Sequence, residues 1–324
     1  GRPRSSQSRR KRHSTPAARD FAAPSTELRL PASVIDAEPI AFEKLNLNPL
    51  LALGILDRGF TTATPIQSAV FPLVRSGRDL IASAETGSGK TAAYLLPVLD
   101  QLLRPNNLED RSASGSRQTK VLVLAPTREL VVQIDDDLQG FTYHTGLTSA
   151  AVFGGTPIGP QAQALSAGVD VVVATPGRLL DHLRGGIPSF AQLNTLILDE
   201  ADRMLDMGFW PDVRRIISNI PSRNESKKSS HQILLFSATI PDWVLKPLME
   251  LAQDPAYVQI GQRGKPADGI SHSVEQMPTA RKTSWLTSFL GKASGSVLVF
   301  VNTKRGTERL ARALSNAGIK ATAL

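Results

Sequence analysis

Eight consecutive residues, Ala84-Glu85-Thr86-Gly87-Ser88-Gly89-Lys90-Thr91, have the composition of a loop that holds phosphate. Glycines let successive backbone N–H groups curl around anionic oxygens, and a helix that follows turns its positive dipole end toward them. In such a loop the Lys90 ammonium reaches the β- and γ-phosphates of a nucleotide and the Thr91 hydroxyl ligates Mg²⁺. Ala84 stands where the general pattern has its first glycine. A glycine-rich loop can also merely turn the chain, so the flanks decide. Asp79-Leu-Ile-Ala-Ser83 is an apolar run that predicts a buried strand, and Thr91–Leu103 carries helical apolar periodicity. Strand, loop and helix are thus in the order that phosphate binding requires.

A second group of chemical residues is Asp199-Glu200-Ala201-Asp202, directly after the apolar run Thr195–Leu198. At the carboxyl end of a parallel strand such side chains enter the ligand crevice. There Asp199 would hold Mg²⁺ through water, and Glu200 would orient or deprotonate the attacking water. The alternative is a solvated acidic turn, which fits poorly beside a phosphate loop and a buried strand.

The elements that position these groups alternate. Asn48-Pro49 caps a helix over Leu50–Arg58 that ends at Gly59-Phe60, and Thr64-Pro65 opens a helix over Ile66–Val74. Strands are predicted at Val121–Ala125, Val169–Ala174, Thr195–Leu198 and Ile233–Phe236. They lack polar alternation, as befits a parallel sheet covered on both faces, and the pattern predicts a doubly wound α/β domain. Residues 104–119 and 221–231 are polar and read as loops, and the glycine-rich 260–270 reads as a linker. The pattern then restarts: strand Ser273–Gln276, helix Arg281–Leu290, strand Ser296–Val301, helix Thr307–Ala317 and strand Ile319–Leu324, the opening of a second α/β domain.

The net charge of +8 arises from 37 basic and 29 acidic residues. Seven of the basic ones (Arg2, Arg4, Arg9, Arg10, Lys11, Arg12, Arg19) lie before Asp20 with no carboxylate among them, which leaves 30 against 29 for the rest. Residues 1–38 are therefore expected to be a disordered basic segment. Three readings of it stand side by side: an arm drawn to phosphate backbones, a solvated linker, or an organelle transit peptide. Because the chain does not begin with Met, it is expected to be a fragment of a longer protein. No run of about 18 apolar residues is present, so a membrane span is not expected. The absence of Cys excludes disulfides and thiolate metal sites. His13, His144, His182, His231 and His272 are scattered and read as surface or structural residues, and Trp210, Trp243 and Trp285 read as packing residues rather than base-stacking platforms.

Together, Asp199–Asp202 and Ala84–Thr91 resemble the DEAD-box ATP-dependent RNA helicases, and the resemblance runs in order through most of the chain. Gly59–Gln67 is similar to the family's adenine-reading motif, with Phe42 as its upstream aromatic and Ala63 in place of a common proline. This implies that Gln67 bonds the adenine edge, with Phe42 and Phe60 in the same nucleotide site. Pro126-Thr127-Arg128, Gly154-Gly155 and Thr175-Pro176-Gly177-Arg178 match the motifs that touch RNA. Arginines, hydroxyls and glycine amides suit phosphates and 2′-hydroxyls rather than bases. Ser237-Ala238-Thr239 matches the motif coupling hydrolysis to strand separation, with Asp202 as partner of its hydroxyls, and Val299–Thr303 resembles the first motif of the second domain.

The resemblance implies a RecA-like domain over 39–262, a linker and the incomplete start of a second over 263–324, ATP and Mg²⁺ as cofactors, and single-stranded or short duplex RNA as partner. Lys90, Asp199 and Glu200 are then the catalytic residues. A monomer is implied, in the cytoplasm unless the N-terminal segment directs import. An ATP-gated RNA clamp that does not unwind is the alternative, and a DNA translocase of the same superfamily a more distant one. Family members complete the ATP site with arginines from later motifs, and such a finger contributes roughly 10³–10⁵ in rate. Residues 1–324 alone are accordingly expected to bind nucleotide weakly and hydrolyse little.

Overall fold

The computed structural model describes residues 1, 33–34, 37–105, 118–221, 231–261, 271 and 273–324. Two compact units divide the chain, Gly1–Arg263 and Gly264–Leu324. In the first, eight strands form one all-parallel sheet. They are β1 (Ser33–Val34), β4 (Leu80–Ser83), β5 (Val121–Leu124), β6 (Ser149–Val152), β7 (Val171–Ala174), β8 (Thr195–Leu198), β9 (Gln232–Ser237) and β10 (Ala256–Gln259), in the spatial order β1-β10-β4-β9-β8-β5-β7-β6. A small antiparallel pair, β2 (Ile40–Ala41) and β3 (Thr62–Ala63), stands apart.

The central strands are buried at every residue, and their period of two sorts them between two cores. Leu80, Ala82, Val121, Val123, Val171, Val173, Ile197, Leu234 and Phe236 pack on one face against α1 (Pro49–Asp57), α2 (Pro65–Arg75), α3 (Lys90–Leu102) and α4 (Arg128–Thr142). Ile81, Leu122, Leu124, Val172, Leu196, Leu198, Ile233 and Leu235 pack on the other. That side is covered by α5 (Ile158–Ala167), α6 (Pro176–Arg184), α7 (Ala201–Asp206), α8 (Trp210–Ile217) and α9 (Asp242–Leu251). The four predicted strands of this unit and the strand and helix around the phosphate loop are all present. Strands β6 and β10 were not predicted: Ser-Ala-Ala-Val and Ala-Tyr-Val-Gln are short and lack a continuous run of large apolar side chains.

Local chemistry explains the helix starts. Asn48 Oδ1 accepts from the Leu50 N–H at 3.0 Å, and Pro49 occupies the first turn. Thr127 Oγ1 accepts from the Leu130 N–H at 3.3 Å at the start of α4. The base of β4 is fixed by buried Asp79, whose two carboxylate oxygens accept from the backbone of Ile233 and Gln253 at 2.9 and 2.7 Å. Helices α1 and α4 touch backbone to backbone at Gly54, where an added Cβ would lie 2.3 Å from the Phe141 carbonyl oxygen. Gly54→Ala is expected to cost about 2–4 kcal/mol of stability, because neither backbone can yield. Gly159→Ala in α5 meets nothing within 4 Å and should be neutral or gain up to about 1 kcal/mol. Chemical denaturation of both variants checks the contrast.

The basic N-terminal segment departs from expectation at its end. Ser33 and Val34 pair with Tyr257 and Val258 of β10, and the Glu38 carbonyl accepts from the Ser68 hydroxyl at 2.7 Å. Residues 2–32 lie outside the described residues, as do 106–117, 222–230 and 262–270, which hold most of the predicted loops and linker.

The second unit contains α10 (Thr279–Leu290) and α11 (Lys304–Asn316), the latter capped by Thr303, whose Oγ1 accepts from the Gly306 N–H. Its predicted strands are not formed: Ser273–Gln276, Ser296–Val301 and Ile319–Leu324 have no regular structure. An extended segment is a strand only with a ladder partner, and among the described residues none of the three finds one. Phe300 is 88% and Val274 95% exposed, and Leu314 is the only buried residue described there. No described helix of either unit is long and apolar enough to cross a membrane.

Candidate nucleotide and nucleic-acid site

In a parallel sheet all carboxyl ends share one edge, and that edge is where this chain keeps its polar residues. The phosphate loop leaves β4, Pro126–Arg128 leave β5, Gly154-Gly155 follow β6, Thr175–Arg178 follow β7, Asp199–Asp202 follow β8, and Ala238-Thr239 follow β9.

The Ala84 N–H donates to the Ser237 carbonyl, tying the loop's first residue to β9. Gly87 and Gly89 take φ of +80° and +92°, the left-handed region that favours glycine. Glu85, Thr86 and Gly87 are exposed, while Ser88 to Thr91 are half-buried at the start of α3. Lys90 Nζ donates to the Ala84 and Glu85 carbonyl oxygens at 2.6 and 2.9 Å, so the loop closes on its own ammonium. Burial pulls the Lys90 pKa down, against Asp199, Asp202, Glu200 and Glu85, which favour its charge. Ser88 Oγ is buried and has no hydrogen-bond partner.

Asp199 is 3% exposed at the end of β8. Its Oδ1 accepts from the Glu200 N–H at 2.9 Å and its Oδ2 from the Tyr94 hydroxyl at 2.9 Å. Burial pushes its carboxyl up to about 6, against the Tyr94 bond and the Lys90 charge. Glu200 is held at φ +50°, ψ +50°, a strained conformation for a residue with a side chain, and its carboxylate pairs with Arg203 at 3.3 Å. Asp202 Oδ2 accepts from both the N–H and the hydroxyl of Thr239, at 3.0 and 2.9 Å, and the Ser237 hydroxyl donates to the Thr239 carbonyl. Of the two hydroxyls expected on Asp202, only that of Thr239 is there; the Ser237 hydroxyl turns to the Thr239 carbonyl instead.

Gln67 is 6% exposed. Its Oε1 accepts from the Thr64 N–H at 2.9 Å, its Nε2 donates to the Gly89 carbonyl at 3.1 Å, and the Thr64 hydroxyl donates to the Ser88 carbonyl. The amide keeps one N–H and one lone pair beyond these bonds, as a bidentate adenine contact needs. The two aromatics are placed differently. Phe42 is 8% exposed within the core, and Phe60 packs on Phe141 with ring centroids 6.1 Å apart.

Along the rest of the rim, Arg128 lies over the Phe153 ring at 5.1 Å, with Gly154 and Gly155 exposed beside it. Arg178 donates to the Thr156 carbonyl at 3.0 Å. Gly177 is exposed, Thr127 and Thr175 are half-buried, and Pro126 and Pro176 are buried turn formers that shape the loops rather than present themselves. His182 is buried behind this rim on Gln161, its pKa lowered by burial and by Arg178. His231 is buried too, His144 pairs with Asp57, and His13 and His272 lie outside the described residues. Trp243, expected to pack, is 55% exposed.

The residues present suit a nucleotide with its metal. An ammonium bonded only to carbonyls and a partnerless buried hydroxyl leave the loop with donors to give to phosphate. Thr91 and Asp199 offer the hard oxygen donors that Mg²⁺ takes when phosphate and water complete its shell. No group of three or more His, Asp or Glu among the described residues could hold a metal alone.

The DEAD/DEAH box helicase family model matches residues 64–247. The chain belongs to that family. Its relatives include the ATP-dependent RNA helicase vasa of Drosophila melanogaster, 37% identical over 87% of the chain and 41% of vasa. The DEAD-box ATP-dependent RNA helicase 52A of Oryza sativa subsp. japonica is 36% identical, and the DEAD-box ATP-dependent RNA helicase 30 of Arabidopsis thaliana 40% identical, each over 87% of the chain. The chain spans 49% and 46% of those two, so under half the length of each of the three relatives. The matched region holds every rim loop described above, from Thr64 to Thr239.

Two members of this helicase-family site escaped the sequence reading. Tyr94 reads as an ordinary core aromatic, although its place three residues after Thr91 puts both on one face of α3. Arg203, the partner of Glu200, sits three residues on along α7 and has the same signal.

Proposed function

We propose that this chain is the nucleotide-binding part of an ATP-dependent RNA helicase, which binds RNA by its backbone and couples ATP hydrolysis to local strand separation or to remodelling of RNA–protein complexes. The observation that carries this reading is the shared rim: the phosphate loop, Asp199–Asp202 and the arginine-bearing loops all leave carboxyl ends of one parallel sheet. On nucleotide binding, the Lys90 ammonium exchanges the carbonyls of Ala84 and Glu85 for phosphate oxygens. Asp199 and Thr91 would hold Mg²⁺, which supplies neutralisation of phosphate charge and alignment for in-line attack. Glu200 keeps one carboxylate oxygen on Arg203 and uses the other to take the proton of the attacking water. Gln67 selects adenine while its second bond reports on Gly89 of the loop. Asp202 transmits the state of the crevice to Thr239 at the end of β9. Arg128 and Arg178 bind phosphates, which carry no base sequence.

The test is coupling in the whole protein: ATP hydrolysis with and without single-stranded RNA, with DNA as control, and displacement of a short RNA strand. Stimulation by RNA together with displacement supports the proposal. ATP-dependent retention of RNA without displacement would support the clamp instead, and equal stimulation by DNA a DNA translocase.

A further inference from the structure

Among the buried polar groups that catalysis does not use, one touches both residues assigned to the metal. Tyr94 is fully buried in α3, its ring packed on Phe236 of β9 with centroids 5.1 Å apart. Its hydroxyl donates to Asp199 Oδ2 at 2.9 Å, and the Thr91 hydroxyl is a second hydrogen-bonding neighbour of the Tyr94 oxygen itself. The other Asp199 oxygen is held by the Glu200 N–H, and the Asp199 N–H donates to the Leu124 carbonyl at 2.9 Å. Backbone therefore holds one oxygen of this carboxylate and Tyr94 the other, and the two bonds together fix the rotation of the planar group. Hydrogen bonds that orient ligating carboxylates tune a metal site as much as the ligands do.

We propose that Tyr94 is a positioning residue for the divalent cation, its hydroxyl bridging Asp199 and Thr91 so that both present oxygen to Mg²⁺ in one geometry. This rests on the reading of Thr91 and Asp199 as the metal's protein contacts. Tyr94 is fully buried, so it acts only through these two side chains. Without the Tyr94 hydroxyl the carboxylate is held at one oxygen only and regains rotational freedom that Mg²⁺ binding must freeze.

Tyr94→Phe removes the hydroxyl and keeps the ring against Phe236. The measurement is binding of a fluorescent adenosine diphosphate analogue, titrated first without metal and then with Mg²⁺, alongside Mn²⁺ binding followed by electron paramagnetic resonance. The expected result is metal-free nucleotide affinity within about twofold of wild type, and an approximately tenfold rise in the Mg²⁺ or Mn²⁺ concentration for half-saturation, the size of one lost bond to a charged group. In an Asp199→Asn background the Phe change should add nothing to metal affinity, because its route is gone. Unchanged metal half-saturation in Tyr94→Phe, or an equal effect in both backgrounds, overturns the proposal. A wild-type protein with no metal-dependent nucleotide binding fails at an earlier step, since that removes the phosphate-site reading itself.

Discussion

Asp199→Asn should silence ATP turnover and at the same time make the first unit harder to unfold. The loss of turnover is expected to be about 10³-fold or more, roughly 4 kcal/mol of barrier, because a neutral amide no longer holds a divalent cation against the phosphates. The gain in stability follows from the carboxyl's position, buried and pushed up to about 6 from an ordinary 3.8. A group whose folded pKa exceeds its unfolded one favours the fold below the lower value and loses that contribution as pH rises through the higher. At pH 7.5 the ionised Asp199 therefore costs on the order of 2–3 kcal/mol, at about 1.4 kcal/mol per pKa unit. Asn removes the charge: its oxygen can accept from the Glu200 N–H while its amide donates to the Tyr94 oxygen, whose own proton then has the Thr91 hydroxyl to turn to. Melting of the nucleotide-free protein should rise by about 4–10 °C above pH 7. The difference should shrink between pH 6 and 4. A variant that melts lower at pH 7.5 would mean that the carboxylate is structural.

Gly89→Ala should be the most damaging single-methyl change in the nucleotide site. The new Cβ would lie 2.4 Å from Gln67 Nε2 and 3.2 Å from the Thr64 hydroxyl, at a φ of +92°. Gln67 cannot swing aside cheaply, because it is 6% exposed and its amide is bonded at both ends. Relief of the clash thus breaks the link between adenine reader and phosphate loop. ATP affinity should fall by about 10²-fold, roughly 2.7 kcal/mol, and the preference for ATP over GTP should fall with it. Gly87→Ala is the control: φ is +80°, yet nothing lies within 4 Å. It carries only the backbone strain of about 1–2 kcal/mol, with the nucleotide preference intact. Competition titrations against a fluorescent nucleotide distinguish the two. Equal effects would mean that the Gln67–Gly89 contact is incidental.

The site was legible where one short stretch contains both the chemistry and its support. Lys90 and Thr91 announce themselves because strand, glycine loop and helix are consecutive, and Asp199 because it follows a fully apolar strand. Asn48 and Thr64 likewise mark their helix starts within a few residues. What sequence could not show depends on contacts across the sheet. The Tyr94 hydroxyl has meaning only once β8 lies beside α3, and the second bond of Gln67 only once α2 meets the loop. Phe42, which the resemblance assigns to the nucleotide site, is 8% exposed in the core, a burial that only the folded chain shows. The predicted strands of the second unit failed for a related reason. Apolar composition at Ser296–Val301 states a preference for extended backbone, whereas a strand also needs a partner.

The sheet order has a further consequence, in time rather than in space. Strand β4, which launches the phosphate loop, pairs only with β9 and β10, whose registers set Leu80 against Leu234 and Ala256. Its immediate successor β5 lies three strands away, beyond β9 and β8. During synthesis, residues 80–83 therefore emerge long before either neighbour exists, and closing a loop of about 150 residues is an intrinsically slow event. The nucleotide pocket must be among the last features to assemble, since Ser237, which anchors Ala84, arrives with β9. Until then an apolar strand edge stays open on the nascent chain, the kind of surface that chaperones cover and that aggregates if they do not.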